Sequence, residues 1–227
     1  MENMKSKKNN PILIAIDSTA GSGSTSLALK LAEHYKLRAL DTGKVYRWCA
    51  LQIIKNKPKN KINFLRKKIK SLKLKDLKNK KLIDDKVAQV TSRISSDINL
   101  RKIVFNFQRQ IAYNIPKGYK GSVLNGRDIT NNIVPNATFK FYVTASILER
   151  SRRRYLELKR LRKKVKFSDI VKSLKKRDQS DKNRSRKQGR LKKTKDSRLI
   201  NTTRLSINGS FLKVKKIIDR KLKNKKN

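Results

Sequence analysis

Residues 17–26 read DSTAGSGSTS, a run of small residues and hydroxyls with glycine at 21 and 23. The run follows the apolar stretch Ile12, Leu13, Ile14, Ala15, Ile16 and precedes Leu27, Ala28, Leu31, Ala32 and Tyr35 at helical spacing, which gives the order strand, glycine turn, helix. Backbone N–H groups of such a turn, together with the positive end of the helix, make a cradle for phosphate oxygens. A Walker A loop would carry Lys where Ser24 stands and a hydroxyl for Mg²⁺ where Thr25 stands. The cradle is present and the lysine is not.

Three further strings carry chemistry of the same kind: DTGKVYR at 41–47, NGRD at 125–128 and RDQSDKNR at 177–184. Each sets carboxylates or hydroxyls beside arginine. Guanidinium forks bind phosphate bidentately and Asp accepts from sugar hydroxyls or a base amino group, so the strings together suit a site for two phosphorylated molecules. Lys44 is a candidate stand-in for the missing cation. The GSG at 21–23 also half-matches a dinucleotide fingerprint with Asp41 downstream, but the third glycine is absent. His34, late in the first helix, reads as a surface residue, and Trp48 and Cys49 read as packing residues.

The elements that must position these strings alternate. Short β-like runs at 11–16, 37–40, 122–124, 140–144 and 198–202 are separated mostly by helical patterns, which argues for a parallel sheet covered by helices. Residues 55–86 are lysine-dense, with Leu72, Leu74, Leu77 and Leu82 as a thin apolar stripe, and read as a peripheral insert. Helical spacing returns from Val87 to Ala112 with a break near Asp97, and another helix is predicted over about 147–165. Residues 163–195 offer almost nothing to bury after Leu174 and read as a mobile surface element. Ser206 is a candidate cap for a last helix, and the Asn-Lys tail after Leu222 is expected to fray.

A chain of 227 residues suits one main domain. The single Cys49 excludes an intramolecular disulfide framework and a cysteine zinc cluster, and points to a reducing compartment. The N-terminal MENMKSKKNN is basic, but the apolar run behind it is too short for a secretory core or a membrane span, so a cytoplasmic location and no membrane partner are expected. The net charge of +46 attracts polyanions, and nonspecific nucleic-acid contact follows from that field alone. Joint inflation of Lys, Asn and Ile also fits base-composition drift, and no recognised nucleic-acid-binding motif or aromatic stacking platform accompanies the charge.

The motifs resemble those of bacterial cytidylate kinases, whose pattern runs IDGPxGSGKST, LDSGxxYR or LDTGxxYR, VxSxxxxVR, DGRDxGTxVxPxAxxKxFxxASxxERxxRR and KxRDxxDxxR. This chain has IDSTAGSGSTS, LDTGKVYR, TSRISSDINLR, NGRDITNNIVPNATFKFYVTASILERSRRR and KKRDQSDKNR in the same order, from about Ile12 to Ile218. The resemblance implies an α/β P-loop three-layer fold, a parallel sheet flanked by helices. It implies a core at about 11–54, 113–160 and 196–224, an insert for the nucleoside monophosphate at about 55–112 and an arginine-rich lid at about 161–195. It implies ATP:CMP/dCMP phosphotransfer in pyrimidine nucleotide metabolism, with ATP and Mg²⁺ as cofactors and a monomeric enzyme.

By the same resemblance Ser18, Thr19, Ala20, Gly21, Ser22, Gly23, Ser24, Thr25 and Ser26 hold the ATP phosphates, with Thr25 at the metal. Asp41, Thr42, Tyr46, Arg47, Ser92, Arg101, Asp128, Arg177, Asp181 and Arg184 bind the cytidine nucleotide. Arg127, Asp128, Arg177 and Arg184 line the transfer site, and Arg150, Arg153 and Arg154 match further family arginines. The departures are Ser18 and Thr19 for Gly-Pro, Ser24 for the lysine, Asn125 for the first Asp of DGRD and Thr130 for the Gly that follows. They leave two alternatives beside the active kinase: a weakened homologue that still binds nucleotide, and a polyanion-binding protein on the same scaffold.

Overall fold

The computed structural model describes residues 10–185 and 187–224; the basic residues 1–9 and the tail at 225–227 lie outside them. Five strands, β1 (Ile12–Ser18), β2 (Leu37–Asp41), β3 (Gly121–Gly126), β4 (Phe139–Thr144) and β5 (Arg198–Asn201), occupy the positions expected of them. The helices in chain order are α1 (Ser24–Tyr35), α2 (Thr42–Asn56), α3 (Lys61–Lys68), α4 (Asp85–Ile94), α5 (Ile98–Tyr113), α6 (Ile147–Arg160), α7 (Phe167–Asn183) and α8 (Ile207–Lys223).

The sheet runs β2-β3-β1-β4-β5 and every neighbouring pair is parallel. Ile14, Ile16, Val123 and Phe141 pack under α1 and α8, while Leu13, Ala15, Leu40 and Leu124 pack under α2, α5 and the buried leucines of residues 65–82. Burial on both faces explains why β1 and β3 read as continuous apolar runs rather than alternating ones. The carboxyl ends of β1 and β3, where the strand order reverses, open the crevice in which α/β sheets bind ligands.

The break near Asp97 is a cap. Its Oδ1 accepts from the backbone N–H groups of Asn99 (2.8 Å) and Leu100 (2.9 Å), ending one helix and starting α5. Ser206 likewise accepts from Gly209 N at 3.0 Å and starts α8. The lysine-dense segment folds as α3 and a series of 3₁₀ turns whose Leu65, Ile69, Leu72, Leu77 and Leu82 are buried, so the thin stripe is what holds it to α2.

The helix after β4 stops at Arg160, short of 165, where Arg162 turns left-handed (φ 55°). Downstream, the segment read as a surface element is helical over α7. It rests on α6 through Leu158, Ile170 and Leu174, with Ala20 of the glycine turn against the same cluster. Among the described residues no helix is long and apolar enough to cross a membrane.

The β1–β3 ladder begins where Ile12 pairs with Gly121, and a Cβ at Gly121 (φ 158°) would overlap the Ile12 carbonyl oxygen. Gly121→Ala is therefore expected to cost at least about 2 kcal/mol, seen as a fall in melting temperature of about 4 °C or more. Gly118→Ala, left-handed (φ 92°) but in open space, should cost only about 1–2 kcal/mol and serves as the control.

Candidate active site

β1 ends at Ser18, and the chain turns through Gly21 (φ 76°) and Gly23 (φ 83°) into α1. Glycine is favoured at 21, because a Cβ there would sit 3.1 Å from the Arg150 carbonyl oxygen as well as demanding a left-handed backbone. The carbonyls of Ala20 and Ser22 accept from Arg150 Nη1 and Arg153 Nη1, each at 3.2 Å. In a trans peptide the N–H opposes the C=O, so the N–H groups of Gly21 and Gly23 point away from these arginines, to the open side of the turn. Two guanidinium groups thus aim the cradle from behind.

The hydroxyls of Ser18 and Ser24 lie 2.8 Å apart and both residues are buried. Next to them Thr25 Oγ1 donates to Asp41 Oδ2 at 3.0 Å and accepts from Asn125 Nδ2 at 3.2 Å. Thr19 Oγ1 is 3.1 Å from Thr144 Oγ1, Ser22 Oγ is buried without a partner, and Ser26 is half-buried in the first turn of α1.

Asp17, just ahead of the loop, is a residue that the motif reading passed over. Its carboxylate accepts from Ile129 N (2.7 Å), Thr130 N (3.1 Å) and the Thr130 hydroxyl, tying the end of β1 to the π turn Ile129–Ile133 that follows β3. That turn leaves Asp128 left-handed (φ 62°) with Asn131 and Asn132 donating to it at 3.5 and 3.2 Å. Thr130, at the position where the resembled pattern has glycine, supplies two of these three donors, its N–H and its hydroxyl. Beside Asp128 a cavity of about 430 Å³ is bounded by Asn131, Arg190, Lys192 and Lys193.

The arginines gather on one carboxylate. Asp181, whose side chain is 5% exposed, lies 2.8 Å from Arg127 Nε, 3.4 Å from Arg184 Nη1 and 4.0 Å from Arg177 Nε. Arg127 Nη2 is buried with no hydrogen-bond partner. Across the cleft, Ser95 receives Arg184 Nη2 on its hydroxyl and Arg101 Nη1 on its carbonyl, both at 3.2 Å. Arg101 lies 5.7 Å from the centre of the buried Tyr46 ring and against Gly189, while Arg47 donates to the Leu82 carbonyl at 2.8 Å.

Burial, and behind it neighbouring positive charge, lowers the pKa of Arg47 and Arg184 from the usual guanidinium range. Arg177 falls furthest, to about 10, through the protein mass around it and then the charges of Arg127, Arg47 and Arg184. Because 55% of its side chain is nevertheless exposed, the crowding by like charge is the cause that matters for ligand binding. Such crowding is relieved by an anion.

The other expected residues divide. Thr42 donates its hydroxyl to the Asn125 carbonyl at 3.0 Å and is buried, which gives it a packing contact with β3. Ser92 is exposed on α4, and Ser95, less than one turn on, is the serine that the arginines reach. Lys44 lies in the first turn of α2, and Arg154 pairs with Glu157 at 2.8 Å. Sequence reasoning also missed Asp178, which takes Arg150 bidentately at 3.1 and 2.6 Å, although the i, i+3 spacing of Asp178 and Asp181 in RDQSDKNR was the available signal. His34 is exposed, stacked edge-on against Tyr35 and Phe211, and Cys49 and Trp48 are buried.

Among the described residues no group of three or more His, Cys, Asp or Glu could hold a metal by itself. The donors at the loop are the Thr25 hydroxyl, the Asp41 carboxylate and the Asn125 amide. One carboxylate and a hydroxyl suit Mg²⁺ held mainly by phosphates and water.

A parallel sheet whose first strand ends in a phosphate cradle, facing a cleft of crowded arginines, defines an α/β nucleotide-phosphate-binding protein. Residues 14–220 match the family model described as cytidylate kinase. A cytidylate kinase of Bartonella tribocorum is 35% identical over 206 residues, covering 88% of this chain and 91% of that protein. One of Brucella ovis is 34% identical over 220 residues, covering 96% and 98%. The chain belongs to the cytidylate kinase family. An uncharacterized protein from Eubacterium ventriosum shares the fold, with a TM-score of 0.53 at 16% identity, over 92% of this chain and 98% of that one.

Burial raises the Asp17 pKa to about 6 against the opposing pull of its hydrogen bonds, of which the Thr130 hydroxyl's is the largest. A raised carboxyl pKa means that the charged form is the costly one: the cost is complete above about pH 6 and vanishes below the ordinary value of 3.8. Titration of ¹³C-labelled aspartate is expected to show Asp17 with a midpoint near 6, moving higher in Thr130→Val. A midpoint that stays put in the variant would count against this account.

Proposed function

We propose that the protein transfers the γ-phosphoryl group of ATP to CMP or dCMP. The observation that supports this most directly is the buried, partnerless Arg127 Nη2 in a cluster of guanidinium groups. Arg127 follows Gly126, the register partner of Asp17, so this donor stands at the same sheet end as the glycine loop. A phosphate between loop and cluster would give it its missing acceptor.

In this reading the N–H groups of Gly21 and Gly23 hold the phosphates of ATP, and Arg47, Arg101 and Arg184 hold the monophosphate. An oxygen of the CMP phosphate, already anionic, forms the new bond to the γ-phosphorus while the bond from that phosphorus to the β–γ bridging oxygen breaks. The electron pair and charge pass to ADP, and no general base is needed. Mg²⁺, when bound, neutralises charge on the phosphate oxygens. The arginines of residues 161–195, acting as a lid, stabilise the transferring group and exclude water. Asp128, with Tyr46 nearby, faces the cytidine end. The enzyme works as a cytoplasmic monomer.

The second reading is a nucleotide-binding homologue with little turnover. It draws on the Ser18–Ser24 hydroxyl pair, which puts a neutral contact where the family pattern has a cation. ADP release with CMP, dCMP, UMP and AMP separates the readings: the kinase should prefer the cytidine nucleotides by at least about tenfold. Arg184→Ala should lower kcat/KM for CMP by about 10–10²-fold through a lost charge-assisted contact, without a fall in melting temperature larger than a few degrees. A parent protein that CMP stabilises against heat, but that releases no ADP with any acceptor, would leave the second reading standing; loss of both would remove the nucleotide site.

A further inference from the structure

Two departures from the family pattern meet where the glycine turn enters α1 beside the end of β3. Ser24 stands in place of a lysine and Asn125 in place of an aspartate. Asn125 pairs in register with Ile16, and Ser18 lies one pleat beyond Ile16 on the same face, so sheet spacings put Ser18 and Asn125 roughly 8 Å apart. Ser24 touches Ser18 at 2.8 Å and Thr25 touches Asn125 at 3.2 Å. Positions 24 and 125 are therefore linked on both sides, through Ser18 and through the adjacent Thr25.

Proton counting fixes what Asn125 does. The Thr25 hydroxyl has one proton, and it goes to the Asp41 carboxylate, which can only accept. The second contact of Thr25 Oγ1, at 3.2 Å, must then come from a donor, and the Asn125 amide nitrogen is that donor. An ionised aspartate at 125 would instead aim an oxygen at a lone pair, with the Asp41 carboxylate across the same hydroxyl. Two carboxylates so placed need a proton or a cation between them. A lysine at 24 would supply that cation.

With Asn125 the Asp41–Thr25–Asn125 chain closes without any cation, and with Ser18 the hydroxyl of Ser24 is satisfied without one. The formal charges balance as well. Lysine to serine removes one positive charge and aspartate to asparagine removes one negative charge.

We infer that Ser24 and Asn125 are a single compensated exchange, in which Asn125 is a positioning residue that holds the Thr25 hydroxyl on Asp41 and lets the loop keep its shape without the lysine. Reverting either position alone creates an unmatched charge in a buried setting; reverting both restores a matched pair. The inference rests on the proposed kinase reading only for the identity of the phosphates above the loop.

The test is thermal melting, without nucleotide, of Ser24→Lys, Asn125→Asp and the double variant, with Ser24→Met/Asn125→Asp as a control of similar length and no charge. Asn125→Asp and Ser24→Lys should each lower the melting temperature by about 2–6 °C, and the double variant should recover most of the loss. The methionine control should not recover it. Shifts that simply add in the double variant overturn the inference, as does rescue by methionine equal to that by lysine. Should Ser24→Lys fail to fold alone, the double variant must still melt above Asn125→Asp, and a double that melts at or below it also overturns the inference. Melting is blind to turnover, so a protein without kinase activity would leave this result intact.

Discussion

Guanidinium groups held close together repel one another, and a cleft that must receive phosphate has to hold them before the phosphate arrives. Here the solution is a carboxylate at the centre of the group: Asp181 gathers Arg127 from the end of β3 and Arg177 and Arg184 from the region of α7. Its placement requires α7 to be a helix, because Arg177, Asp181 and Arg184 share a face only at that period. It also requires α7 to be anchored on α6, which the small apolar cluster around Leu158, Ile170 and Leu174 provides together with the Arg150–Asp178 pair. The pairing is loose enough for exchange. Arg177 at 4.0 Å and the unpartnered Nη2 of Arg127 retain capacity that an anion would take up.

The same helix pair shapes the glycine turn. Arg150 and Arg153, one helical turn apart, reach the carbonyls of Ala20 and Ser22 from α6, while Arg153 also reaches Thr202 beyond β5. Neither is free to meet a phosphate, and both direct N–H groups that can. The arginines therefore divide by place: Arg150 and Arg153 brace the glycine turn, Arg127, Arg177 and Arg184 surround Asp181, and Arg101 joins Arg184 at Ser95.

The sheet was legible in the sequence because its signal is local. Short β-like runs with helical spacing between most of them mark all five strands, glycine or aspartate stands at the ends of β2 and β3, and Asp97 marks its own cap. The five motif strings marked the cleft in the same way. Residues 163–195 were opaque to apolar periodicity, because α7 buries only two apolar residues, Ile170 and Leu174, and is otherwise tied by ion pairs to residues outside it, Arg150 to Asp178 and Arg127 to Asp181. Ser95 was missed in favour of Ser92 since both lie in the string TSRISSDINLR, and which serine faces the arginines depends on where α4 ends, at Ile94. Asp17 was missed because its partners, Ile129 and Thr130, are more than a hundred residues away.

Composition gives an independent view of the cleft. With 62 basic residues against 16 acidic ones, a carboxylate placed anywhere on this surface finds a cation nearby, so pairing alone says little. Burial says more, since taking a carboxylate out of water is costly unless fixed donors replace the water. Among the described residues the buried carboxylates are Asp17, Asp128 and Asp181, and all three stand at the carboxyl end of the sheet around the glycine loop and the arginines. The field of the whole chain already favours a polyanion, so positive charge was never the scarce quantity for a phosphate site. What the site needed was negative charge in fixed places, to hold arginines together, to pin the turn after β3 and to orient one hydroxyl of the loop.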